Sequence, residues 1–342
     1  MSSMFTHITL IGFFVALAVT GFSMSLRISD HPDARSSHST VTPTAGGLGV
    51  VIGSFAVMFA LAKFYPNFEI NAEIKALFGL GLLLAALGLI DDVFGVPTPV
   101  KFLLIGIISA AVPLITGLPL ALPLGETVIQ FPDSLAHIGA ALWIFVVINV
   151  VNFMDGANGL MALTALIVSI ALVVCGLLGG VTTAAIFGLL LIGPLMGFMP
   201  YNFRNKAKIF CGDTGSLFIG YIIAVACLSL PAHPSGERLL YVGPILLMPF
   251  LADSLLTMAV RLRRGEKLTT PHRRHLYQRS IIAGRSHVTI TLIYGFLALV
   301  CAFGAVFGGV SEMLSSWAYF LGFVVLSMTI YLLVHRRLPL KE

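Results

Sequence analysis

The sequence predicts an all-α fold, a polytopic transmembrane helical bundle of about eleven spans. Its 342 residues are 58% hydrophobic and only 10% charged, whereas soluble domains carry about 25% charged residues. Apolar runs of about 17–25 residues, long enough to cross a bilayer, recur along the chain. We therefore expect an integral membrane protein that forms a single domain over residues 1–342.

The apolar runs account for most of the chain. They lie near residues 7–26, 46–64, 74–90, 100–118, 136–151, 159–179, 181–200, 214–231, 239–260, 287–308 and 315–334. The first run is followed by Arg27 and has no charged segment before it, which favours a retained span over a cleaved signal peptide. The four cysteines form no C-x-x-C pair, so we expect packing roles rather than a disulfide or zinc site.

The basic residues predict the orientation of the bundle, because cytoplasmic loops carry an excess of Lys and Arg. Of the 20 Lys and Arg residues, 17 lie in alternate connections at 27–45, 91–101, 201–213, 261–286 and the C-terminus. This asymmetry predicts an outside N-terminus, a cytoplasmic C-terminus and an odd number of spans. The net charge of +5 is then a topological signal and does not indicate a nucleic-acid partner.

An acidic pair, Asp91 and Asp92, ends the third run in "LLLAALGLIDDVFG". A helix that ends in water with two solvated acids would look the same. The alternative is a pair that holds a cation or accepts a proton, because adjacent acids repel and the pKa of one rises. Lys101 follows nine residues later and would either neutralise the acids or hold a phosphate.

Two further polar runs lie at span ends. "GDTGS" opens a span, and Asp213 is either a plain N-cap or part of a phosphate site in which Mg²⁺ bridges the acid to the phosphate. "INVVNFMDGANGL" joins two spans. Its Asn and Gly residues suit a turn, but Asn149, Asn152 and Asp155 would also suit one edge of a nucleotide and metal site.

The basic run "PHRRHLYQR" supplies His272, Arg273, Arg274, His275 and Arg279. Its H-x-x-H pattern lacks further His or Cys ligands nearby, which argues against zinc. The run is either a juxtamembrane loop that binds anionic lipid or a clamp for a pyrophosphate.

All of these runs fall on the predicted cytoplasmic face, together with the first loop, where Arg35 and His38 would reach a nucleotide. Acids and a basic loop on one face indicate a Mg²⁺-dependent reaction of a phosphorylated substrate, and the membrane setting suggests a lipid partner. An anion transporter and a prenyl-phosphate phosphatase are the rival interpretations, although transport sites usually place polar groups near mid-span.

Four blocks in order, "LIDDVFG", "NVVNFMDGANGL", "CGDTGSLFIG" and "HRRHLYQR", resemble the polyprenyl-phosphate N-acetylhexosamine-1-phosphate transferase family. The early stretch "DHPDARSSHSTVTPTAGGLG" is similar to the first cytoplasmic loop of that family. The H-x-x-H-x-Y-Q-R form looks closer to the O-antigen initiating enzymes than to the peptidoglycan lipid I translocase. The resemblance covers about residues 27–280.

The resemblance implies transfer of a sugar-1-phosphate from a UDP-N-acetylhexosamine to undecaprenyl phosphate, with Mg²⁺ or Mn²⁺ as cofactor. It implies catalytic roles for Asp91, Asp92, Asp155, His272 and His275. It implies substrate binding by Arg35, His38, Lys101, Asn149, Asn152, Arg273, Arg274 and Arg279. It implies metal binding by Asp213, Asn152 and Asp155. We further expect contact with membrane lipids, a homodimer and a location in the bacterial inner membrane.

Two positions depart from the family pattern. Asn158 stands where many members have an aspartate, and Thr44 stands where an arginine often precedes the double glycine. Both departures weaken any assignment of the sugar, so UDP-GlcNAc, UDP-QuiNAc and UDP-FucNAc all remain open.

Overall fold

The computed structural model describes most of the chain. The described residues are 2–26, 28–30, 42–66, 68–233, 236–267, 270, 272–310 and 316–338. Arg35 and His38, predicted to bind substrate, lie outside the described residues.

Fourteen α-helices form nearly the whole of the described structure. They are α1 (Ser2–Ser23), α2 (Gly47–Phe64), α3 (Ala72–Phe94), α4 (Thr98–Ala111), α5 (Pro113–Thr116), α6 (Asp133–Phe153), α7 (Leu160–Leu178), α8 (Thr182–Asn202), α9 (Gly212–Ala232), α10 (Val242–Leu246), α11 (Met248–Arg263), α12 (Leu276–Ile282), α13 (His287–Ala305) and α14 (Ser316–Arg337). Short 3₁₀ turns at Met24–Leu26 and Glu237–Tyr241, and a π-helical turn at Val306–Val310, extend α1, α10 and α13.

The polytopic helical bundle is confirmed. Within the described residues, ten helices are long and apolar enough to cross a membrane, and the number is eleven if one bent helix pair forms a single span. The ninth run, expected as one span over 239–260, is instead broken between α10 and α11 with a bend of 70°. Pro249 lies at the start of α11, where its missing N–H interrupts the helical hydrogen bonds. The apolar run is continuous across this break, so the hydropathy of the sequence gives no sign of the bend.

Two small antiparallel sheets add the extended structure. Strand β1 (Ser29–Asp30) pairs with β2 (Thr42–Pro43). Strand β3 (Ala121–Leu124) pairs with β4 (Thr127–Gln130) in a hairpin, within a connection that the sequence predicts only as a loop.

Helix α9 is the centre of the bundle and is buried along nearly its whole length. It packs against α2, α3, α6 and α8, which agrees with a sequence that is apolar on all sides. Helix α14 lies at the periphery and exposes most of its apolar side chains. The four cysteines are buried and unpaired, as their spacing predicts.

The close approach of α3 to the start of α9 depends on Gly88. A Cβ atom at Gly88 would collide with the backbone carbonyl of Asp213. This contact brings the end of α3 beside the first turn of α9, so residues more than 100 positions apart in the sequence become neighbours.

Candidate active site

Four helix ends meet in a cluster of charged and polar side chains. Asp91 lies in the last turn of α3, Lys101 in the first turn of α4, Asn152 near the end of α6 and Asp213 at the start of α9. The Lys101 Nζ atom is 2.6 Å from Asp91 Oδ2 and also contacts Asp213 Oδ2. Lys101 therefore pairs with two acids that come from different helices, and its single charge offsets only one of them.

Asp213 is further held by Asn152, whose Nδ2 atom donates to Asp213 Oδ1 at 2.9 Å and to Ser216 Oγ at 2.8 Å. The other oxygen of Asp91 accepts a hydrogen bond from the backbone N–H of Val96 at 2.6 Å. These bonds fix the acids before any substrate arrives, which is the preorganisation that a charged transition state requires.

Asp92 has a different role from its neighbour. Its Oδ1 atom accepts from the backbone N–H of Asp213 at 2.9 Å, and its Oδ2 atom accepts from the N–H and the hydroxyl of Thr214 at 3.0 and 2.7 Å. Asp92 therefore caps the N-terminus of α9, where backbone N–H groups lack partners within the helix. Both carboxylate oxygens of Asp92 are therefore used to hold the start of α9.

Asp155 lies in the turn after α6 and is half-buried. Burial first, and then the charges of Asp213 and Asp92, raise the pKa of the Asp155 carboxyl well above its usual range. The described part of this cluster thus contains four acids, and Lys101 pairs with two of them, Asp91 and Asp213. The excess negative charge is what a divalent cation would compensate.

The acidic cluster supplies some, but not all, of the ligands that a magnesium ion needs. Within the described ranges, no group of three or more His, Cys, Asp or Glu side chains is close enough to hold a metal ion. Mg²⁺ commonly takes only one or two carboxylates and completes its coordination with water and substrate phosphates. Asp155 is the carboxylate whose charge is least compensated, whereas Asp213 pairs with Lys101 and accepts from the Asn152 side chain.

Asn149 and Asn158 lie outside the acidic cluster. The Asn149 amide donates to the carbonyl of Phe145 in its own helix at 2.8 Å, so nucleotide binding by Asn149 stays a prediction. The Asn158 amide donates to the carbonyls of Arg204 and Asn205 at 2.8 and 3.1 Å. An aspartate at position 158 could not donate these two hydrogen bonds. The structure therefore gives a reason for asparagine at this position, where many family members have aspartate.

The basic run near residue 275 packs against the end of α6. The Tyr277 hydroxyl donates to the carbonyl of Phe153 at 2.9 Å, and the rings of His275 and Phe153 are 6.2 Å apart. The rings of His272 and His275 are 4.9 Å apart. The structure therefore places His275 against the end of α6, next to the turn that carries Asp155, and His272 against His275.

His272 is uncharged at neutral pH. Burial first, and then the neighbouring His275 and the positive charges of Arg261 and Arg274, lower the pKa of His272 to about 3. A neutral imidazole donates and accepts hydrogen bonds but carries no charge. Any part that His272 plays in stabilising an anion is therefore that of a hydrogen-bond donor.

Two basic side chains near the histidines are paired with one acid. The Arg261 Nε atom is 3.1 Å from Glu266 Oε2, and the Arg274 Nη1 atom is 2.5 Å from Glu266 Oε1. Arg261, which is buried, also donates to the carbonyls of Lys267 and Thr270 at 2.7 and 3.0 Å. Much of the positive charge of this loop is therefore used to hold the loop itself.

Arg279 contacts the last helix. Its guanidinium is 2.7 Å from His335 Nδ1 and donates to the carbonyls of His335 and Leu338. Positive groups stabilise the C-terminal end of a helix, where carbonyls are unsatisfied. This geometry does not favour the predicted contact between Arg279 and substrate, because the guanidinium is buried and occupied.

The sequence predictions missed Asp253, a buried acid in α11. Its carboxylate accepts from the backbone N–H of Leu276 at 2.7 Å and from the Tyr294 hydroxyl at 2.6 Å. A single acid within the apolar run "MPFLADSLLTM" is the signal that would have found it, because ionisable groups inside a membrane are rare and mark functional sites.

The end of the first loop also reaches the cluster. The backbone N–H of Phe210 donates to the carbonyl of Pro43 at 2.7 Å, and the N–H of Gly47 donates to the carbonyl of Cys211 at 2.8 Å. The carbonyl of Thr44 lies close to Gly212, whose φ of +74° suits glycine. The segment at 43–47 therefore lines the approach to Asp213.

Residues 74–230 match the model of glycosyl transferase family 4. The chain is 32% identical over 338 residues to a decaprenyl-phosphate N-acetylglucosaminephosphotransferase of Mycobacterium leprae, covering 90% of this chain and 84% of the relative. It is 30% identical over 281 residues to a probable undecaprenyl-phosphate N-acetylglucosaminyl 1-phosphate transferase of Bacillus subtilis, covering 80% of this chain and 76% of the relative. A phospho-N-acetylmuramoyl-pentapeptide-transferase of Clostridium novyi is 27% identical, with 82% and 89% covered. The chain therefore belongs to glycosyl transferase family 4, the family of polyprenyl-phosphate sugar-1-phosphate transferases that its motifs resemble.

Proposed function

We propose that this protein transfers an N-acetylhexosamine-1-phosphate from a UDP-sugar to undecaprenyl phosphate, and so starts a cell-envelope polysaccharide. The observation that carries the proposal is the cluster of Asp91, Lys101, Asn152 and Asp213 at one end of the bundle. The names of the mycobacterial and Bacillus relatives support a polyprenyl phosphate as acceptor and N-acetylglucosamine as the sugar.

In the proposed reaction, an oxygen of the lipid phosphate forms a bond to the sugar-bearing phosphorus of the UDP-sugar. The bond from that phosphorus to the oxygen of the uridylyl group breaks, and UMP leaves with the bonding electrons. A phosphate monoester is largely a dianion near pH 7, so it needs little help from a base. The protein must instead bring two anions together and offset their charge.

Lys101 is the group best placed to receive an anionic phosphate, since its ammonium lies between two helices at the site. Asp91 positions Lys101, and either Asp91 or Asp92 is proposed to accept a residual proton from the lipid phosphate. Asp92 fixes the start of α9 and thereby the position of Asp213. The carboxylate of Asp155 and the amide of Asn152 complete the edge that faces the nucleotide.

A magnesium ion bound to Asp213 and Asp155 would supply positive charge to the diphosphate and to the departing UMP. Arg273, Arg274 and the two histidines are proposed to contact the diphosphate from the other side. Arg35 and His38 are proposed to contact the nucleotide from the first loop. Mn²⁺ is expected to replace Mg²⁺, because both ions favour oxygen ligands.

The site is proposed to face the cytoplasm of a bacterial inner membrane, where UDP-sugars are available, with the N-terminus on the outer side. The excess of Lys and Arg in the connections that carry the site supports this orientation. The homodimer expected from the sequence stays a prediction.

The position of the charged groups favours transfer over transport. Asp91, Lys101 and Asp213 lie in terminal turns of their helices, whereas a transport site usually lies near the middle of the membrane. A phosphatase would use similar acids but would release inorganic phosphate.

One assay separates these activities. Purified protein is incubated with Mg²⁺, undecaprenyl or decaprenyl phosphate and a panel of UDP-N-acetylhexosamines, and the products are analysed. We expect equal amounts of UMP and sugar-diphospholipid with at least one UDP-sugar. Inorganic phosphate without UMP would indicate a phosphatase. Folded protein that yields no lipid product with any sugar would refute the proposal.

A further inference from the structure

A buried carboxylate in α11 connects the basic loop to the acidic cluster. Asp253 is 2% exposed and is the one acid in the sequence of α11. A charged group at such a position is costly unless hydrogen bonds satisfy it. The contacts of Asp253 therefore indicate what the residue is for.

Asp253 holds the start of α12. Its Oδ1 atom accepts from the backbone N–H of Leu276 at 2.7 Å, and its Oδ2 atom accepts from the N–H of Tyr277 at 3.3 Å. The hydroxyls of Tyr294 and Thr257 donate to the same carboxylate at 2.6 and 3.3 Å. Asp253 thus caps α12, while Tyr294 of α13 and Thr257 of its own helix hold its side chain in place.

The same carboxylate lies beside His275. Its Oδ1 atom is 3.7 Å from His275 Nδ1, and both side chains are buried. The ring of His275 stacks on the ring of Tyr277, with centroids 5.9 Å apart and an angle of 17° between the planes. The orientation of His275 is therefore set by Asp253 on one side and Tyr277 on the other.

Tyr277 carries the connection to the acidic cluster. Its hydroxyl donates to the carbonyl of Phe153, and the backbone of Gly156 also hydrogen-bonds to it. Asn152, next to Phe153, donates to Asp213. An unbroken series of contacts thus runs from Asp253 through α12 to the turn that carries Asp155.

We propose that Asp253 is a positioning residue, which fixes His275 and α12 against the end of α6 and so sets the basic loop relative to the acids. It touches no substrate in this proposal and acts through Tyr277. The kinetic part of its test rests on the proposed transferase function, whereas the structural part does not.

The structural test is hydrogen exchange on the purified protein in detergent, comparing Asp253→Asn with the parent. Asparagine keeps the size of the side chain but loses the charge and one acceptor. We expect faster exchange in the peptide that covers α12 and also in the peptide that covers residues 153–159, because Tyr277 no longer holds that turn. Exchange that changes only in α12, or nowhere, would overturn the proposal.

Ser254→Ala is the matched control. Ser254 is the next residue in α11 and is equally buried, but its hydroxyl has no hydrogen-bond partner in the described structure. This variant should leave exchange and turnover unchanged. Faster exchange at 153–159 in Ser254→Ala would show that any change in α11 disturbs the turn, and would also overturn the proposal.

The kinetic test is a double-mutant cycle with Tyr277→Phe, which removes only the hydroxyl. Each single variant should lower kcat about tenfold with KM for the UDP-sugar within about threefold, because geometry rather than binding is lost. The double variant should lose about tenfold, since both changes break one series of contacts. A loss of about 100-fold in the double variant would mean independent effects and would contradict the proposal. If the parent makes no product, the transferase proposal fails and hydrogen exchange alone decides the role of Asp253.

Discussion

The acidic cluster and the basic loop lie side by side, yet their charges are balanced in opposite ways. In the acidic cluster, Lys101 pairs with two carboxylates and leaves Asp155 with a strongly raised pKa. In the basic loop, Glu266 pairs with both Arg261 and Arg274. The acidic cluster has too little positive charge to balance its carboxylates. In the basic loop, Glu266 neutralises part of the positive charge.

This difference distinguishes residues whose charge is free to act on a ligand from residues whose charge stabilises the structure of the site. Uncompensated charge is costly, and a protein keeps it where a ligand will compensate it. Paired and buried charge is typical of a structural network. We therefore expect substitutions in the acidic cluster to affect turnover and those at Arg261, which is both paired and buried, to affect stability.

The largest effect is expected at the first turn of α9. Asp213→Asn should lower turnover by about 10³-fold, because the site loses the charge proposed to hold the metal. Release of UMP by the purified variant measures this loss. The matched control is Asp133→Asn, at the opposite end of α6, which should retain full activity. Activity of Asp213→Asn within tenfold of the parent would contradict the assignment.

Removal of the ammonium group should have the next largest effect. Lys101→Met keeps the length of the side chain but leaves Asp91 and Asp213 unpaired, so turnover should fall by about 10²-fold. Lys75→Met, in the first turn of the same α3 that carries Asp91, serves as control in the same assay. If Lys101→Met stays within threefold of the parent, Lys101 does not contact a phosphate in the reaction.

Asp155 offers a test through stability. Its pKa is raised in the folded protein, so the folded state binds the proton more tightly than the unfolded chain does. Stability from this group is therefore present below the unfolded pKa of about 4 and is lost as pH rises through the folded pKa. In the absence of divalent metal, Asp155→Asn should raise the Tm by about 2–4 °C at pH 7. Near pH 4 it should leave the Tm unchanged. An equal increase at both pH values would exclude the buried negative charge of Asp155 as the cause.

The smallest effect on catalysis is expected at Arg279. Arg279→Lys keeps the charge but loses the forked contact with the end of α14. KM for the UDP-sugar should change by less than about threefold, and the Tm should fall. A tenfold increase in KM would instead indicate that Arg279 contacts the substrate, as the resemblance to the family implies.

The helical bundle and the convergence of the motifs were predictable, because hydropathy and the Lys and Arg asymmetry depend on local sequence. The different roles of Asp91 and Asp92 could not be predicted from the sequence. Adjacent acids look alike in the sequence, and only the close approach at Gly88 places Asp92 on the start of α9. The bend between α10 and α11 was missed for a similar reason, since it interrupts a continuous apolar run.

The roles of the basic residues depended most on tertiary structure. Arg279 and Arg274 look equivalent in "PHRRHLYQR", but one contacts the C-terminal helix and the other contacts Glu266. The last two spans, which showed no polar motif, supply Tyr294 as a partner of Asp253 and His335 as a partner of Arg279. Partners so distant in sequence have no local signal.

The central claim is that the acidic cluster is short of positive charge and takes up a divalent cation. The most direct test is the Tm of the substrate-free protein with and without Mg²⁺, for the parent and for Asp213→Asn. A ligand that binds only the folded state raises the Tm, so Mg²⁺ should raise the Tm of the parent and leave that of Asp213→Asn unchanged. No increase in the parent, or the same increase in both proteins, would contradict the claim.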